Sequence, residues 1–493
     1  RRIEMFSVVP AQTYVSDLTA SRHDAGTVFA GFNNPKQGDL RHYLLKSTDR
    51  GASWTSIAGD LPDGNVVWTV VEDHERPDLL FVGTEFGLYF TIDAGEHWIR
   101  LQGNVPTVAV RDLEIQRREN DLVAATFGRG FLVLDDYTPL REVADGRLDP
   151  DGWLSSDKDA WIYQPSNPLG WGEKASQRHA YFTAPNPPIG AIFTYHLGKG
   201  LATRREKRRA MEGEQREQGE AIDYPSWEAL RQEDREPPAQ ILLTVRDVDD
   251  RVVRQITGPV TAGFHRVAWD LRYPAFDPIT EPREADPWGM PASGPMAPPG
   301  TYSVQLNRWE DGEWTALGDP RSFQAVPLGL ATLAASDQAA LADFQKQVAS
   351  LQRAVMGTAE LARERARQLD LLSTGVQATV GLPVTEIEQV RDLRQRLFGI
   401  EGVLWGDRTV SRRSEPTLPG LVHRVGRVVG GFWSSAAPTV THRRDYEIAA
   451  TAFAELLDSF RQFESDFAEV QEALDRKGTP WTPGRGLPTW PPS

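Results

Sequence analysis

Four carboxylates in residues 1–143, Glu72, Glu85, Asp112 and Asp136, stand on or beside predicted strands and are the raw material for acid–base chemistry. Cleaving a glycosidic bond takes two carboxyl groups about 5 to 9.5 Å apart, depending on mechanism. Arg111 and Arg129 offer forked N–H donors that suit a carboxylate-bearing substrate, and Trp68 offers a large flat apolar surface. No spacing assigns these residues catalytic roles. The run Glu72-Asp73-His74-Glu75 has metal-ligating side chains, but adjacent residues on a strand point to opposite faces. It reads as a strand end with solvated charges. The nine histidines are scattered, and the metalloprotease, Walker, nucleophile-elbow and EF-hand patterns are all missing from the sequence. No metal, cofactor or catalytic residue is assigned.

The elements that must position these residues are read from a repeat. Ser47-Thr48-Asp49-Arg50-Gly51-Ala52-Ser53-Trp54 and Thr91-Ile92-Asp93-Ala94-Gly95-Glu96-His97-Trp98 both fit Ser/Thr-x-Asp-x-Gly-x-x-Trp, with 44 positions between the Asp residues. This is the Asp-box, or BNR repeat. Its Asp accepts hydrogen bonds from the turn's own N–H groups, its Gly permits positive φ, and its Trp packs between sheets. Ser47, Asp49, Gly51, Trp54, Thr91, Asp93, Gly95 and Trp98 are therefore expected to be structural. A strand-rich unit at this period predicts propeller blades.

Alternating runs bounded by turn residues predict the blades. Val15–Leu18, Thr27–Phe32, His42–Ser47 and Trp54–Ile57 form the first. Val66–Glu72, Leu79–Gly83, Gly87–Ile92 and Trp98–Leu101 form the second. Val108–Ile115, Asp121–Thr126 and Gly130–Leu134 form a third, whose degenerate box sets Asp136 opposite Asp93. Three blades do not close a propeller, which takes at least about four. The chain opens Arg1-Arg2-Ile3 rather than with Met, and the expectation is a piece of a longer parent whose further blades lie upstream.

Two segments carry a resemblance. Gly83-Thr84-Glu85-Phe86-Gly87-Leu88-Tyr89 with its box, and Ala125–Asp136, resemble the last blades of large bacterial sortilin-like BNR-repeat proteins. Pro185-Asn186-Pro187-Pro188, Trp269-Asp270-Leu271-Arg272 and Pro299-Gly300-Thr301-Tyr302 resemble that group's C-terminal region, so the resemblance spans most of the chain. It implies a β-propeller of the sialidase-like superfamily, whose members are often labelled glycosyl hydrolases. Sialidases, xyloglucanase-type glycosidases, sortilin receptors and photosystem assembly factors all carry the box, so it specifies a fold and not an activity. A sialidase-like site also needs an Arg cluster and commonly a Tyr nucleophile.

Residues 144–179 read as a linker. Residues 180–330 read as an immunoglobulin-like β-sandwich, from the strands Ala180–Thr183, Ala191–Leu197, Ala239–Arg246, Val252–Ile256, His265–Leu271, Gly300–Asn307 and Trp314–Gly318. A charged insertion at 199–238 is expected to be a solvated helix or disordered, the Pro/Gly-rich loop Tyr273–Pro299 interrupts the strands, and Trp269 is expected in the core. From 331 to 478 the period becomes helical. Leu341, Phe344, Val348, Leu351 and Val355 mark one stripe, with Ser336 as N-cap, and a shorter helix spans Thr385–Phe398. Tyr446, Ala449, Phe453, Leu456, Phe460, Phe463, Phe467, Val470 and Leu474 step 3-4-3-4, and that helix is expected to pack antiparallel to the Leu341 helix in a bundle. Residues 479–493 read as a tail. The fold class is thus mainly β with an α C-terminal region.

The chain has 493 residues, a net charge of −15 and no cysteine. The acidity argues against nucleic acid, disulfides and thiol chemistry are ruled out, and no apolar run is long enough for a transmembrane helix. Two functions are carried forward. One is a non-catalytic binding protein whose propeller takes a peptide, protein or glycan, the sandwich and helices serving docking or stability. The other is a glycoside hydrolase sharing its carboxylates with upstream blades. Ligand contacts are expected at Trp68, Glu85, Arg111, Asp112 and Arg129, in a secreted or periplasmic protein.

Overall fold

The computed structural model describes residues 6, 8–155, 158–164, 184–280, 293–330, 336–433 and 435–487. The expected strand Ala180–Thr183, much of the 273–299 loop and the end of the tail lie outside the described residues. The chain forms mostly antiparallel sheets followed by a C-terminal helical region.

Strands β1 (Tyr14–Ala20), β2 (Val28–Asn34), β3 (Asp39–Ser47) and β4 (Thr55–Ser56) make a four-stranded antiparallel meander. β5 (Val67–Glu72), β6 (Leu80–Thr84), β7 (Gly87–Thr91) and β8 (Ile99–Arg100) repeat it. β9 (Val110–Gln116), β10 (Asp121–Thr126) and β11 (Phe131–Leu134) form a third sheet of three strands. The sheets stack through their alternate residues. Phe29 and Leu44 meet Val67, Val70, Leu80, Val82 and Tyr89 between the first two. Phe81, Leu88 and Phe90 meet Val110, Leu113, Leu122 and Tyr137 between the second and third.

Both box turns form as the residue types require. Asp49 Oδ1 accepts from the N–H groups of Ala52 and Ser53, each at 2.8 Å, while Ser47 Oγ accepts from Gly51 N at 2.8 Å. Asp93 Oδ1 accepts from Glu96 and His97 at 3.0 and 2.9 Å, and Thr91 Oγ1 from Gly95 at 3.0 Å. Gly51 and Gly95 take φ of +81° and +100°, in the region that favours glycine. Trp98 is buried between the first and second sheets, its indole N–H donating to Ile57 O at 3.0 Å. Trp54 packs beside Phe6 on the other face of the first sheet, with ring centroids 5.3 Å apart. At the degenerate box, Asp136 Oδ1 accepts from Thr138 N at 3.2 Å and from its hydroxyl, and Pro139 opens helix α1 (Pro139–Ala144). The third sheet therefore gains a helix where the first two gain a fourth strand.

The stretch expected as a linker contributes β12 (Trp153–Ser155) and β13 (Ala160–Ile162), which join the next two sheets. After β14 (Ala191–Leu197), the charged insertion folds as two helices, α2 (Arg204–Gln218) and α3 (Trp227–Arg235). Arg208 ties them together through Glu233, with Nε to Oε1 at 2.7 Å. Strands β15 (Gln240–Arg246), β16 (Val252–Gly258), β17 (Gly263–Trp269), β18 (Gly300–Glu310) and β19 (Glu313–Pro327) complete sheets ordered β12-β14-β17 and β13-β19-β18-β15-β16, with β13 and β19 parallel. Phe193, Tyr195 and Leu197 share one core with Leu243, Val304 and Phe323 of the other sheet. Trp269 is buried in it, its indole N–H donating to Arg272 O at 2.8 Å.

The helical region holds α4 (Gln338–Gln377), α5 (Val384–Trp405), α6 (Arg408–Ser411), α7 (Leu421–Val429) and α8 (Val440–Arg476). Asp337, not Ser336, caps α4, accepting from Ala340 N at 2.9 Å. The predicted aromatic stripe of α8 from Ala449 to Leu474 is buried. Its direction relative to α4 differs from expectation. Phe344 meets Tyr446, Arg365 pairs with Glu464, and Thr379 bonds Thr479, so α4 and α8 run parallel. α5 is the antiparallel partner of both: Arg394 reaches Asp370, Arg396 reaches Asp466, and Lys477 reaches Glu386. A stripe identifies which face is buried but carries no information on direction. Among the described residues no helix is long and apolar enough to cross a membrane.

Candidate functional site

The first strand of each N-terminal sheet carries one residue more than its partner at the same place. The register slips between Val15 and Asp17 on β1 and between Val67 and Thr69 on β5. On the β9–β10 pair it slips where Asp112 pairs Ala125 and Val110 pairs Thr126. Ser16, Trp68 and Arg111 are the extra residues. A bulge bends its strand and re-aims the side chain it holds, so these three leave the pleat at equivalent positions. One residue past the matching end of the second strand stand Asn33, Glu85 and Phe127.

There the second and third sheets build a cluster. Arg111 Cζ lies 3.5 Å from the centre of the Trp68 ring and 5.4 Å from that of Phe127. The Trp68 indole N–H donates to Glu85 Oε2 at 2.8 Å. Arg111 Nη2 lies 3.6 Å from the same oxygen, an ion pair too long for a hydrogen bond. Arg111 makes no hydrogen bond among the described residues, and its side chain is 37% exposed. Phe127 is 70% exposed. The arrangement places a guanidinium over the Trp68 ring with Phe127 close by, which suits recognition of a ligand along the guanidinium edge.

Three of the five expected contact residues, Trp68, Glu85 and Arg111, are thus brought together. Arg129 is exposed on the β10–β11 turn and has no ion pair among the described residues. Asp112, the next residue on β9, does not join the stack, and its Oδ1 accepts from its own neighbour Leu113 N at 3.0 Å. With Asp17, Glu72, His74, Glu114 and Arg117 it lines a polar groove of about 240 Å³. Phe127 was not among the expected residues. The signal for it was the alignment of Ala125 with Gly83, which sets Phe127 level with Glu85.

The Glu72–Glu75 run is not a solvated strand end. Glu72 is buried, accepting from Arg22 N at 2.8 Å and from the Ser21 hydroxyl at 2.9 Å. Asp73 is 0% exposed. It accepts from Tyr137 Oη at 2.5 Å and from Arg141 Nη2 and Nε at 2.7 and 2.9 Å. Burial opposes ionisation of Asp73, but the bonds from Arg141 and Tyr137 outweigh it and hold the carboxyl below its ordinary range. Burial also lowers His74 and, with the Asp73 bond, raises the Tyr137 phenol. These groups pin α1 to the second sheet and are committed to one another. Glu85 is held by Trp68 and faces Arg111, and Asp136 is turned onto Thr138. Of the four carboxylates, Glu72 and Asp112 share the groove, Glu72 with its oxygens already bonded.

At the second box, Asp93, Glu96 and His97 bring one potential ligand atom each within 4.8 Å of one another. Asp93 is already occupied by the turn's N–H groups and by His97 Nδ1 at 2.7 Å, so the group belongs to the turn.

No family model matches the chain, and no curated protein matches it. Among solved structures it is similar to the GH74 enzyme of Niastella koreensis, at 17% identity and a TM-score of 0.21 over 24% of this chain and 20% of that one. It is similar to PorZ, a bacterial surface component of the type-IX secretion system of Porphyromonas gingivalis, at 12% identity and a TM-score of 0.21 over 63% and 30%. A third is the GH74 xyloglucanase of Xanthomonas campestris, at 14% identity and a TM-score of 0.19 over 61% and 29%. The chain therefore spans less than a third of the length of each of these proteins.

Proposed function

We propose that the three N-terminal sheets are blades of a β-propeller and that the chain serves a secreted or periplasmic protein that binds a peptide, protein or glycan without transforming it. The Trp68–Arg111–Phe127 stack, with Glu85 beside it, is the contact surface. The observation that carries this reading is the state of the Arg111 side chain: over the Trp68 ring and near Phe127, about one-third exposed, and with no hydrogen bond among the described residues. Arg129, exposed two residues after Phe127, is taken as a further contact. The two middle sheets, read as an immunoglobulin-like sandwich, and the helical region then serve docking or stability.

Two observations support the blade reading. The faces through which the first sheet meets the second, and the second meets the third, carry Phe29 and Leu44, then Phe81, Leu88 and Phe90. The equivalent residues on the third sheet's outer face are Val123, Phe131 and Val133, of which Phe131 and Val133 are exposed. That face is suited to a further blade of the same parent. The hydrolase alternative needs two carboxyl groups free to exchange protons, whereas Glu85 and Glu72 are both held by donors.

The test is a binding screen on the full chain with peptide and oligosaccharide panels, read by Trp fluorescence and by calorimetry. Binding weakened about tenfold or more by Arg111→Gln and by Trp68→Ala, without product formation, supports the reading. Turnover of a glycoside that disappears in Asp112→Asn replaces it with the hydrolase. Binding indifferent to both variants removes the site.

A further inference from the structure

Between Asp407 and Asp445 the chain carries seven arginines against three acids, an excess of four positive charges in a molecule whose net charge is −15. The fold gathers this stretch on α6, α7 and the first turn of α8. Leu418 and Gly420 lie against Gly406 at one end of α7, and His442 lies against Gly431 at the other. Arg424 and Arg427 both pair with the buried Asp445, at 2.6 and 2.7 Å, which ties α7 to α8. Leu421, Val425 and Val428 turn α7's apolar face inward, so His423 and Arg427 stand on its outer face.

Two of the three acids are committed within the fold, and the third, Glu415, is exposed and leaves the arginines in excess. Asp407 is used as the cap of α6, accepting from Thr409 and Val410 N. Asp445 is shared by two arginines. Arg408, Arg412, Arg413, Arg443 and Arg444 are exposed and form no ion pair among the described residues. Arg408 and Arg443 lie over aromatic rings, at 4.8 Å from the centre of Trp405 and 5.2 Å from that of Phe344. Two aliphatic side chains stand in water at the two ends of the patch: Leu418, 80% exposed, and Val440, 83% exposed.

We propose that this surface docks on an anionic lipid bilayer. The arginines meet headgroup phosphates, and Leu418 and Val440 enter the boundary with the acyl chains. A soluble polyanion satisfies the arginines but leaves both aliphatics in water. A bilayer takes up both, which is the combination that holds peripheral proteins at the interface. The acidic remainder of the chain is repelled by the same surface and orients this side toward it.

The test is co-sedimentation of the full chain with vesicles of phosphatidylcholine alone and of phosphatidylcholine with about one-third phosphatidylglycerol, at low and high salt. Binding is expected to the anionic vesicles only, and to fade as salt rises. Each arginine near the surface is worth on the order of fivefold. Replacing Arg412, Arg413, Arg443 and Arg444 together by Gln is therefore expected to weaken partition at least about a hundredfold, with helical circular dichroism unchanged because all four are exposed. Leu418→Asn with Val440→Thr, which leaves the charge as it is, is expected to lose vesicle binding while retention on a heparin column stays unchanged. Three results overturn the proposal: no salt-sensitive partition, partition that survives the fourfold arginine variant, or vesicle binding indifferent to the aliphatic pair. The last would make this a site for a soluble polyanion.

Discussion

Replacing Asp73 with Asn removes one charge and turns one acceptor into a donor at a position with 0% exposure. Asp73 receives five donors. Oδ1 takes the Tyr137 hydroxyl at 2.5 Å and Arg141 Nη2 at 2.7 Å, and Oδ2 takes Arg141 Nε, Arg76 N and Glu75 N at 2.9, 2.9 and 3.2 Å. Whichever way an Asn is placed, its NH2 faces at least two of them. Arg141, with 11% of its side chain exposed, keeps one charged partner, Glu75, at 2.8 Å and itself 58% exposed, and the neutral Asn120 Oδ1 at 3.0 Å. Breaking a buried pair by removing one partner costs about 3–5 kcal/mol, and the surviving Glu75 contact puts the expected loss near the lower end, about 3 kcal/mol. Tyr137→Phe removes a single hydroxyl-to-carboxylate bond and is expected to cost about 1.5–2 kcal/mol. Several units unfold in this chain, so a global melt mixes transitions. The assay is hydrogen exchange of α1 and β9–β11, whose local opening the contact opposes. Asp73 sits below its ordinary 3.8, so its contribution is full above that pH and is lost as pH falls through the folded value. Asp73→Asn should flatten this acid limb. A loss under about 1 kcal/mol, or an unchanged acid limb, would refute the claim that this carboxylate is the staple.

Phe463→Ala should cost about 3–5 kcal/mol in denaturation of the helical region, because the ring is fully buried and flanked by Phe460 and Phe467, each at 5.8 Å. Gly95→Ala should destabilise more than Gly64→Ala, read by hydrogen exchange of the first two sheets. Both have positive φ, +100° and +79°, but a methyl at Gly95 meets Ile57 O at 2.6 Å, whereas at Gly64 it meets open space. His97 should titrate above its ordinary 6.5, because Nδ1 bonds Asp93. Its stabilisation is then full below 6.5 and lost as pH rises through the raised value. An NMR titration reads this directly, and Asp93→Asn should return the His97 value toward 6.5.

What the sequence made legible follows from how local each signal is. The box turns were readable because the partners that Ser47, Asp49, Thr91 and Asp93 hold in them lie within four residues. The buried face of α8 was readable because nine side chains repeat one period. The strands β12 and β13 were not, since three residues each give no alternation to detect and their partners are over a hundred residues away for β13. The burial of Asp73 was not legible either: Tyr137 and Arg141 are 64 and 68 residues distant. Arg111 and Asp112 were expected to contribute to one ligand site. The bulge parts them, because an extra residue shifts which side chains share a face.

The same bulge explains why a repeated strand can tie two sheets together in one place and carry an open aromatic–arginine stack in another. On β1 the bulge residue is Ser16, whose hydroxyl donates to Val67 O at 2.9 Å. The next residue, Asp17, accepts from Val70 N at 2.8 Å and from the Thr69 hydroxyl at 3.1 Å. Both side chains are engaged by the backbone of the following sheet. At the equivalent positions on β9 stand Arg111 and Asp112, and among the described residues no further sheet faces them. Arg111 is too long to act as a strand-to-strand staple of Ser16's kind, and it turns back over Trp68, the bulge residue of the sheet before. The geometry is common to all three sheets, while the residue type decides between a tie and a platform. A Ser at the bulge ties neighbouring sheets; an aromatic followed one sheet later by an arginine makes a stack whose guanidinium edge stays open. The stack therefore follows from the repeat plus two substitutions within it, which is why the repeat period led to its location while saying nothing of its ligand.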